Sequence, residues 1–169
     1  MLLLGVDPGS RVTGYGLVEK NQSRMTCIHA GTIAPPGNLP LYQRIHKIFV
    51  SMVDLISRYQ PAEMAMEDIF FAKNVKSALK IGHARGAVMI AAAQCGLEVF
   101  EYTPLEIKKA VVGYGRASKE QVRSMVQAIL NVRAIPSLDA SDALATAICH
   151  LNWTRFEKGP PAKGKRRTE

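Results

Sequence analysis

Cysteine is scarce in this chain of 169 residues, and its three copies, Cys27, Cys95 and Cys149, lie far apart. No zinc-binding or redox-active spacing exists among them, so we expect reduced thiols in a cytoplasmic protein. No stretch is long and apolar enough to suggest a membrane span. The opening apolar run, Leu2–Val6, is too short for a signal sequence, and there is no internal repeat. These absences argue against membrane, secreted and zinc-binding classes.

Acidic residues are in the minority, with 14 Asp and Glu against 22 Lys and Arg, a formal net charge of +8. Such an excess indicates a polyanionic partner. From Lys158 onward the net charge is +4, so the rest of the chain is basic as well. Hydrophobic residues make up 47% of the sequence, enough for one core. We therefore expect one domain over residues 1–156 and a basic, disordered tail over residues 157–169.

Hydrophobic periodicity predicts an α/β fold. Three strand-like segments separated by short turns favour an antiparallel meander, and the strand after the first helix should pair parallel to the first strand through a right-handed crossover. The expected result is a mixed five-stranded sheet, three antiparallel strands and then parallel ones, flanked by helices. The predicted strands are 2–7, 12–19, 25–33, 62–69 and 97–101, and the predicted helices are 41–59, 75–94, 104–112, 118–130 and 139–153.

An acid ends each of two strands in this predicted sheet. Asp7 ends the first strand and is followed by a Pro-Gly turn, which bends the backbone sharply. Glu67 lies towards the end of the fourth strand, where an unpaired buried carboxylate is costly. If these strands are parallel neighbours, both carboxylates emerge at the edge where open α/β sheets present ligand sites. Taken alone, Asp7 also fits the alternative role of a turn-forming residue.

Two further acids, Asp139 and Asp142, are three residues apart on a predicted helix and therefore share one face. Asp139 alone also fits a helix-start residue favoured by the helix dipole. Four carboxylates converging in one apolar neighbourhood repel one another, and divalent cations resolve that conflict. Mg²⁺ and Mn²⁺ prefer oxygen ligands, and a pair of such ions is a recurrent device for phosphodiester cleavage.

With these motifs the chain resembles the RuvC family, the bacterial Holliday-junction resolvases of the ribonuclease H-like superfamily. The similarity covers about residues 1–154 and depends on five motifs in order. They occupy residues 5–16, 67–74, 77–86, 111–115 with Lys119, and 139–145.

The resemblance implies a Mg²⁺-dependent endonuclease that cuts two strands of a four-way DNA junction symmetrically and leaves 5′-phosphate and 3′-hydroxyl ends. It implies that the metal-binding catalytic acids are Asp7, Glu67, Asp139 and Asp142. Mn²⁺ should substitute for Mg²⁺, with two ions per site during catalysis. The resemblance also implies a homodimer that acts beside the RuvA–RuvB branch-migration complex.

Several lysines are candidates for DNA binding. Lys73, Lys76 and Lys80 share helical spacing close to Glu67, where contact with phosphates competes with the alternative of a solvated helix face. The resemblance adds Lys108 and Lys119, which match lysines that handle DNA next to the site.

The resemblance also selects Phe70 from the pair Phe70–Phe71 as the side chain that stacks on an unpaired base. In the helix 75–94, small residues such as Gly82 and Gly86 permit close approach of another backbone. That backbone is either the chain's own sheet or, as the resemblance implies, a second copy of the chain.

Other classes share parts of this pattern. Sugar kinases and actin-like ATPases open with a similar strand–turn–strand, but they need a second domain and a second phosphate loop, which the sequence does not show. A non-catalytic DNA-binding module gives no reason for four convergent acids. A ribonuclease H-like nuclease acting on another substrate, such as an RNA–DNA hybrid, also fits the acids.

Overall fold

The computed structural model describes residues 1–68 and 75–156, with side chains described to residue 153. Its elements follow the predicted order. The strands are β1 Leu2–Asp7, β2 Thr13–Asn21, β3 Arg24–Ile33, β4 Glu63–Glu67 and β5 Glu98–Tyr102. The helices are α1 Leu41–Tyr59, α2 Val75–Gln94, α3 Pro104–Val112, α4 Lys119–Leu130 and α5 Leu138–Phe156.

The strands form one mixed sheet in the order β3-β2-β1-β4-β5. β1 and β2 are antiparallel, as are β2 and β3, which confirms the predicted meander. β4 lies parallel to β1 and β5 lies parallel to β4, which confirms the predicted crossovers. The central strand β1 therefore has the antiparallel half of the sheet on one side and the parallel half on the other.

The predicted strand 97–101 is displaced by one residue. Leu97 belongs to the turn that ends α2, because its N–H donates to the carbonyl of Ala92 at 2.9 Å. Gly96 has a φ of 71°, the left-handed conformation that commonly follows a helix. The strand therefore begins at Glu98.

Other boundaries differ by a few residues. The predicted strand 62–69 ends at Glu67 in the structure, and Ile69 lies outside the described residues. Helix α4 begins one residue later than predicted because Ser118 is its N-cap: its hydroxyl accepts from the Gln121 N–H in a capping box. Helix α5 extends three residues beyond the predicted 153.

The sheet separates two cores. Alternate residues of the strands face opposite sides, so Leu4 and Met64 pack beneath α1 and α2, whereas Leu3 and Ala65 pack beneath α5. Helices α3 and α4 pack against α5 on its side of the sheet. Within the ranges given above, no helix combines the length and the apolar character that a membrane span requires.

Helix α5 lies directly on the backbone of β1 and β2. A Cβ atom added at Gly5 would overlap the carbonyl oxygen of Ala143, and one added at Gly14 would overlap the carbonyl oxygen of Asp139. At Gly16 the obstacle would be the Leu144 side chain. We call these three glycines the glycine seat of α5, and they allow the first turn of the helix to approach the end of β1.

We expect Gly5→Ala to lower the free energy of unfolding by roughly 3 kcal/mol, because the new methyl group must displace helix backbone rather than a flexible side chain. Gly37→Ala is the matched control, since no atom lies within 4 Å of a Cβ at that position. Urea titration of both variants measures the difference. Equal stability of the two variants would show that α5 does not depend on this close approach.

Candidate active site

Two of the predicted acids end neighbouring parallel strands. Asp7 is the last residue of β1 and Glu67 is the last residue of β4. Val6 pairs with Met66 in the register of these strands, so the next residue on each strand emerges at the same edge of the sheet. Both carboxylates are half-buried.

The other two acids lie on the first two turns of α5. Asp7 pairs with Gly14 across β1 and β2, and the backbone of Asp139 packs against that glycine. Asp142 follows three residues later on the same helix face. The glycine seat thus brings Asp139 and Asp142 to the strand ends that carry Asp7 and Glu67.

The charges of the four acids act on one another. Burial, together with the carboxylates of Glu67, Asp142 and Asp139, raises the pKa of Asp7 to about 7 against the partial opposition of Lys119. Burial likewise raises the pKa of Glu67, and Asp142 adds to that effect. The structure therefore brings the four predicted acids into one electrostatic neighbourhood.

The donor chemistry of this group fits a hard divalent cation, because all the donors are carboxylate oxygens. Burial disfavours the negative charge of two of them, Asp7 and Glu67. As the side chains stand, no three His, Cys, Asp or Glu residues in the described ranges are arranged to hold an ion. Like charges repel, and the Asp142 carboxylate is bonded to Lys119. The acids are gathered at one edge, but their oxygens do not yet surround one point.

Two predicted lysines lie at the same site. Lys119 Nζ donates to Asp142 Oδ2 at 2.7 Å, and this bond raises the pKa of Lys119. The charge of Lys108 lowers the pKa of Glu67 against the larger effect of burial. A cavity of about 60 Å³ separates these groups and is lined by both lysines, Glu67 and Asp142 together with apolar side chains of α3, α4 and α5. The site is therefore acidic at its centre and cationic on the side of α3 and α4.

Two of the remaining predicted DNA contacts, Lys76 and Lys80, lie on another element, α2. Lys76 and Lys80 are exposed on the first half of α2, and neither contributes to the pKa shifts of Asp7 or Glu67. Phe70 and Lys73 lie outside the described residues.

Two residues beside the acids were not singled out from the sequence. Arg85 of α2 donates to the backbone carbonyl of Glu67 and to the carboxylates of Asp68 and Glu101. Thr13 closes the turn after Asp7: its hydroxyl donates to the Gly9 carbonyl at 2.9 Å. Both residues lie within the quoted motifs, yet no local pattern distinguishes them from core or surface residues.

Comparisons with known proteins place the chain in a family. A family model described as crossover junction endodeoxyribonuclease RuvC matches residues 3–150. A protein of that name from Magnetococcus marinus is 51% identical over 156 residues, covering 92% of this chain and 87% of its own length. One from Halothermothrix orenii is 46% identical, covering 97% of this chain and 100% of its own length.

Solved structures agree with the sequence relatives. RuvC of T. thermophilus, in complex with a Holliday junction substrate, is 32% identical, covers 96% of this chain and 99% of that chain, and superposes with a TM-score of 0.88. The yeast mitochondrial resolvase Ydc2, at 12% identity and a TM-score of 0.67, shares the fold. These matches confirm the predicted ribonuclease H-like fold, and the chain belongs to the RuvC family of crossover junction endodeoxyribonucleases.

Proposed function

We propose that this chain is a metal-dependent endonuclease that resolves four-way DNA junctions by paired symmetric nicks during recombination and repair. Relatives about half identical over most of its length carry the name crossover junction endodeoxyribonuclease, and a solved relative is bound to a Holliday junction. The observation that carries the proposal is that Asp7 and Glu67 end neighbouring parallel strands while α5, packed on Gly14, brings Asp139 and Asp142 to the same sheet edge. A divalent cation offsets the charge of such a cluster.

In this proposal the metal is two Mg²⁺ ions, for which Mn²⁺ substitutes. Four acids hold it: Asp7, Glu67, Asp139 and Asp142. The bound metal supplies the Lewis acidity that activates water and stabilises the leaving oxygen in phosphodiester hydrolysis, with 5′-phosphate and 3′-hydroxyl products. Lys119 neutralises Asp142 before substrate arrives, and its ammonium is then available to a DNA phosphate. Lys108 adds a second positive charge where negative charge develops.

The proposal also assigns the other predicted DNA contacts, the domains, the partner and the compartment. Lys76 and Lys80 extend the cationic surface along α2, and Lys73 and Phe70 are assigned to phosphate contact and base stacking from the sequence motifs. Residues 1–156 serve as the nuclease domain and residues 157–169 as a basic tail. A RuvA–RuvB branch-migration complex is the partner that the family implies, and the cytoplasm is the compartment that a DNA substrate implies.

A homodimer is the proposed assembly, because a four-way junction presents two strands to be cut and requires two related sites. Helix α2 offers an apolar stripe for it on the face opposite the core. The side chains of Val75, Leu79 and Ile90 are 74%, 59% and 62% exposed, and Met89 is exposed as well. Gly82 and Gly86 have open space where a Cβ would be. This stripe is the surface on which a second copy packs in the proposal.

We expect Ile90→Asp to convert the dimer to a monomer, because a charge within an apolar interface must be desolvated without a partner. Met125→Asp on α4 is the control, since Met125 is also exposed but lies away from the stripe. Sedimentation velocity distinguishes the two species. A dimeric Ile90→Asp variant would contradict the assignment of this interface.

Incubation of the protein with a synthetic four-way junction tests the proposed function. Paired nicks in two strands of like polarity, placed symmetrically across the crossover, should appear with Mg²⁺ and be lost with EDTA. A linear duplex of the same sequence should remain uncut. An RNA–DNA hybrid in parallel tests the alternative nuclease substrate. Preferential cleavage of the hybrid, or no cleavage of the junction, would overturn the proposal.

A further inference from the structure

Arg85 joins three separate parts of the molecule through one guanidinium group. It donates to the backbone carbonyl of Glu67, to Asp68 Oδ1 at 3.3 Å and to a carboxylate oxygen of Glu101 on β5. The Arg85 side chain is only 12% exposed, whereas the two carboxylates are each 42% exposed. A guanidinium has five donors in a rigid fork, so these contacts fix its orientation as well as its charge.

The helix position of Arg85 places it at the border of the apolar stripe. Gly82 lies three residues before it and Met89 four residues after it, so all three share one side of α2. Both of these neighbours are exposed, whereas Ala84 and Val88 face the core. Arg85 thus leaves the helix between its core face and its proposed dimer face, and reaches the end of β4.

The contact with Glu67 is made to the backbone rather than to the carboxylate. It leaves both carboxylate oxygens available and restrains the peptide from which that side chain leaves the strand. Asp68 and Glu101 hold the guanidinium from the two neighbouring strand ends, so a small displacement of α2 is transmitted to the Glu67 main chain. Groups that orient metal ligands in this way typically change metal affinity or activity by about 10- to 100-fold when removed.

We propose that Arg85 is a positioning residue that ties the dimer helix α2 to the strand end carrying Glu67, so that packing of α2 against a second copy sets the metal affinity of the site. The inference rests on the proposed metal site and the proposed dimer. It assigns Arg85 no contact with substrate. Its consequence is that a dissociated subunit binds metal more weakly than the dimer does.

Arg85→Met tests the link, because methionine retains an apolar stem but donates no hydrogen bond. We expect about 10- to 100-fold weaker Mn²⁺ binding by calorimetry and a matching increase in the Mg²⁺ concentration for half-maximal junction cleavage. Sedimentation should still show a dimer. Arg85→Lys, which restores one charged donor, should recover part of the affinity. Arg123→Met is the matched control, since Arg123 donates to the Ile135 carbonyl at 3.0 Å, away from α2.

The interface variant Ile90→Asp provides a second test of the link between the dimer and metal binding. Ile90→Asp alone should weaken Mn²⁺ binding, and adding Arg85→Met should weaken it no further, because both changes interrupt the same link. Three results would each overturn the inference. The first is an additive loss of Mn²⁺ affinity in the double variant, and the second is unchanged Mn²⁺ affinity in both Arg85→Met and Arg85→Lys. The third is dissociation of the Arg85→Lys dimer. Failure of the wild-type protein to cut junctions would refute the proposed function instead, and the Mn²⁺ measurements would still decide the role of Arg85.

Discussion

Asp7→Asn should lower the rate of junction cleavage by roughly a thousandfold or more while junction affinity is retained. The amide keeps the size of the carboxylate but removes its charge from the strand end where four acids meet. Junction affinity comes mainly from phosphate contacts with cationic side chains, which this substitution leaves in place. Single-turnover cleavage with saturating Mg²⁺, together with junction binding in EDTA, separates the two quantities.

Asp54→Asn is the matched control for this experiment, because Asp54 is an exposed acid on α1. It should cleave at the wild-type rate. Loss of both binding and cleavage in Asp7→Asn, with a reduced melting temperature, would mean that Asp7 serves the fold. Cleavage by Asp7→Asn at the wild-type rate would show that Asp7 does not belong to the proposed metal site.

The same residue should make the metal-free protein less stable as the pH rises. The pKa of Asp7 is about 7 in the folded chain, against an ordinary value of 3.8. Between these values the folded state binds more protons than the unfolded state, so the free energy of unfolding decreases as pH increases. About three pH units correspond to about 4 kcal/mol of stability, which is fully present below the ordinary pKa value and lost once the pH exceeds about 7.

Urea unfolding in EDTA at a series of pH values measures this effect as the difference between wild type and Asp7→Asn. The variant should be the more stable protein at pH 8, and the two should converge near pH 4. Mg²⁺ should reduce the difference at pH 8, because an ion that binds only the folded state stabilises it. Parallel stability curves for the two proteins would show that burial and the neighbouring acids do not destabilise the charged Asp7 carboxylate.

Much of the fold follows from local pattern. The bounds of β1, α2 and α3 agree with the prediction to the residue. In α3 both ends are fixed locally, by the Thr103 capping box and by Gly113 in the left-handed conformation. The displacement of β5 shows where local pattern is insufficient. Leu97 has the apolar character of a strand residue, but its N–H is taken by the last turn of α2, and only the three-dimensional path of the chain decides that competition.

Part of the candidate site could likewise be predicted from the sequence, and part could not. The four acids were predicted because strand ends and helix spacing determine where their side chains emerge. The bond between Lys119 and Asp142 joins residues 23 positions apart, and Arg85 reaches Glu67 from 18 positions away. The two residues of each pair lie on different elements, so the periodicity of a single helix or strand does not relate them, and such contacts become visible only when the elements are packed.

The glycine seat has a consequence for the choice of ion. Since α5 rests on bare main chain at Gly5 and Gly14, the width of the cleft between helix and sheet is set by hydrogen atoms rather than by side chains that can adopt other rotamers. Mg²⁺ demands short, regular coordination, whereas Ca²⁺ accepts longer and more irregular distances. If the four acids hold the metal as proposed, we expect a methyl group beneath the helix to widen the cleft and to shift preference towards the larger ion. Discrimination by ionic radius would then depend on residues that touch no ligand.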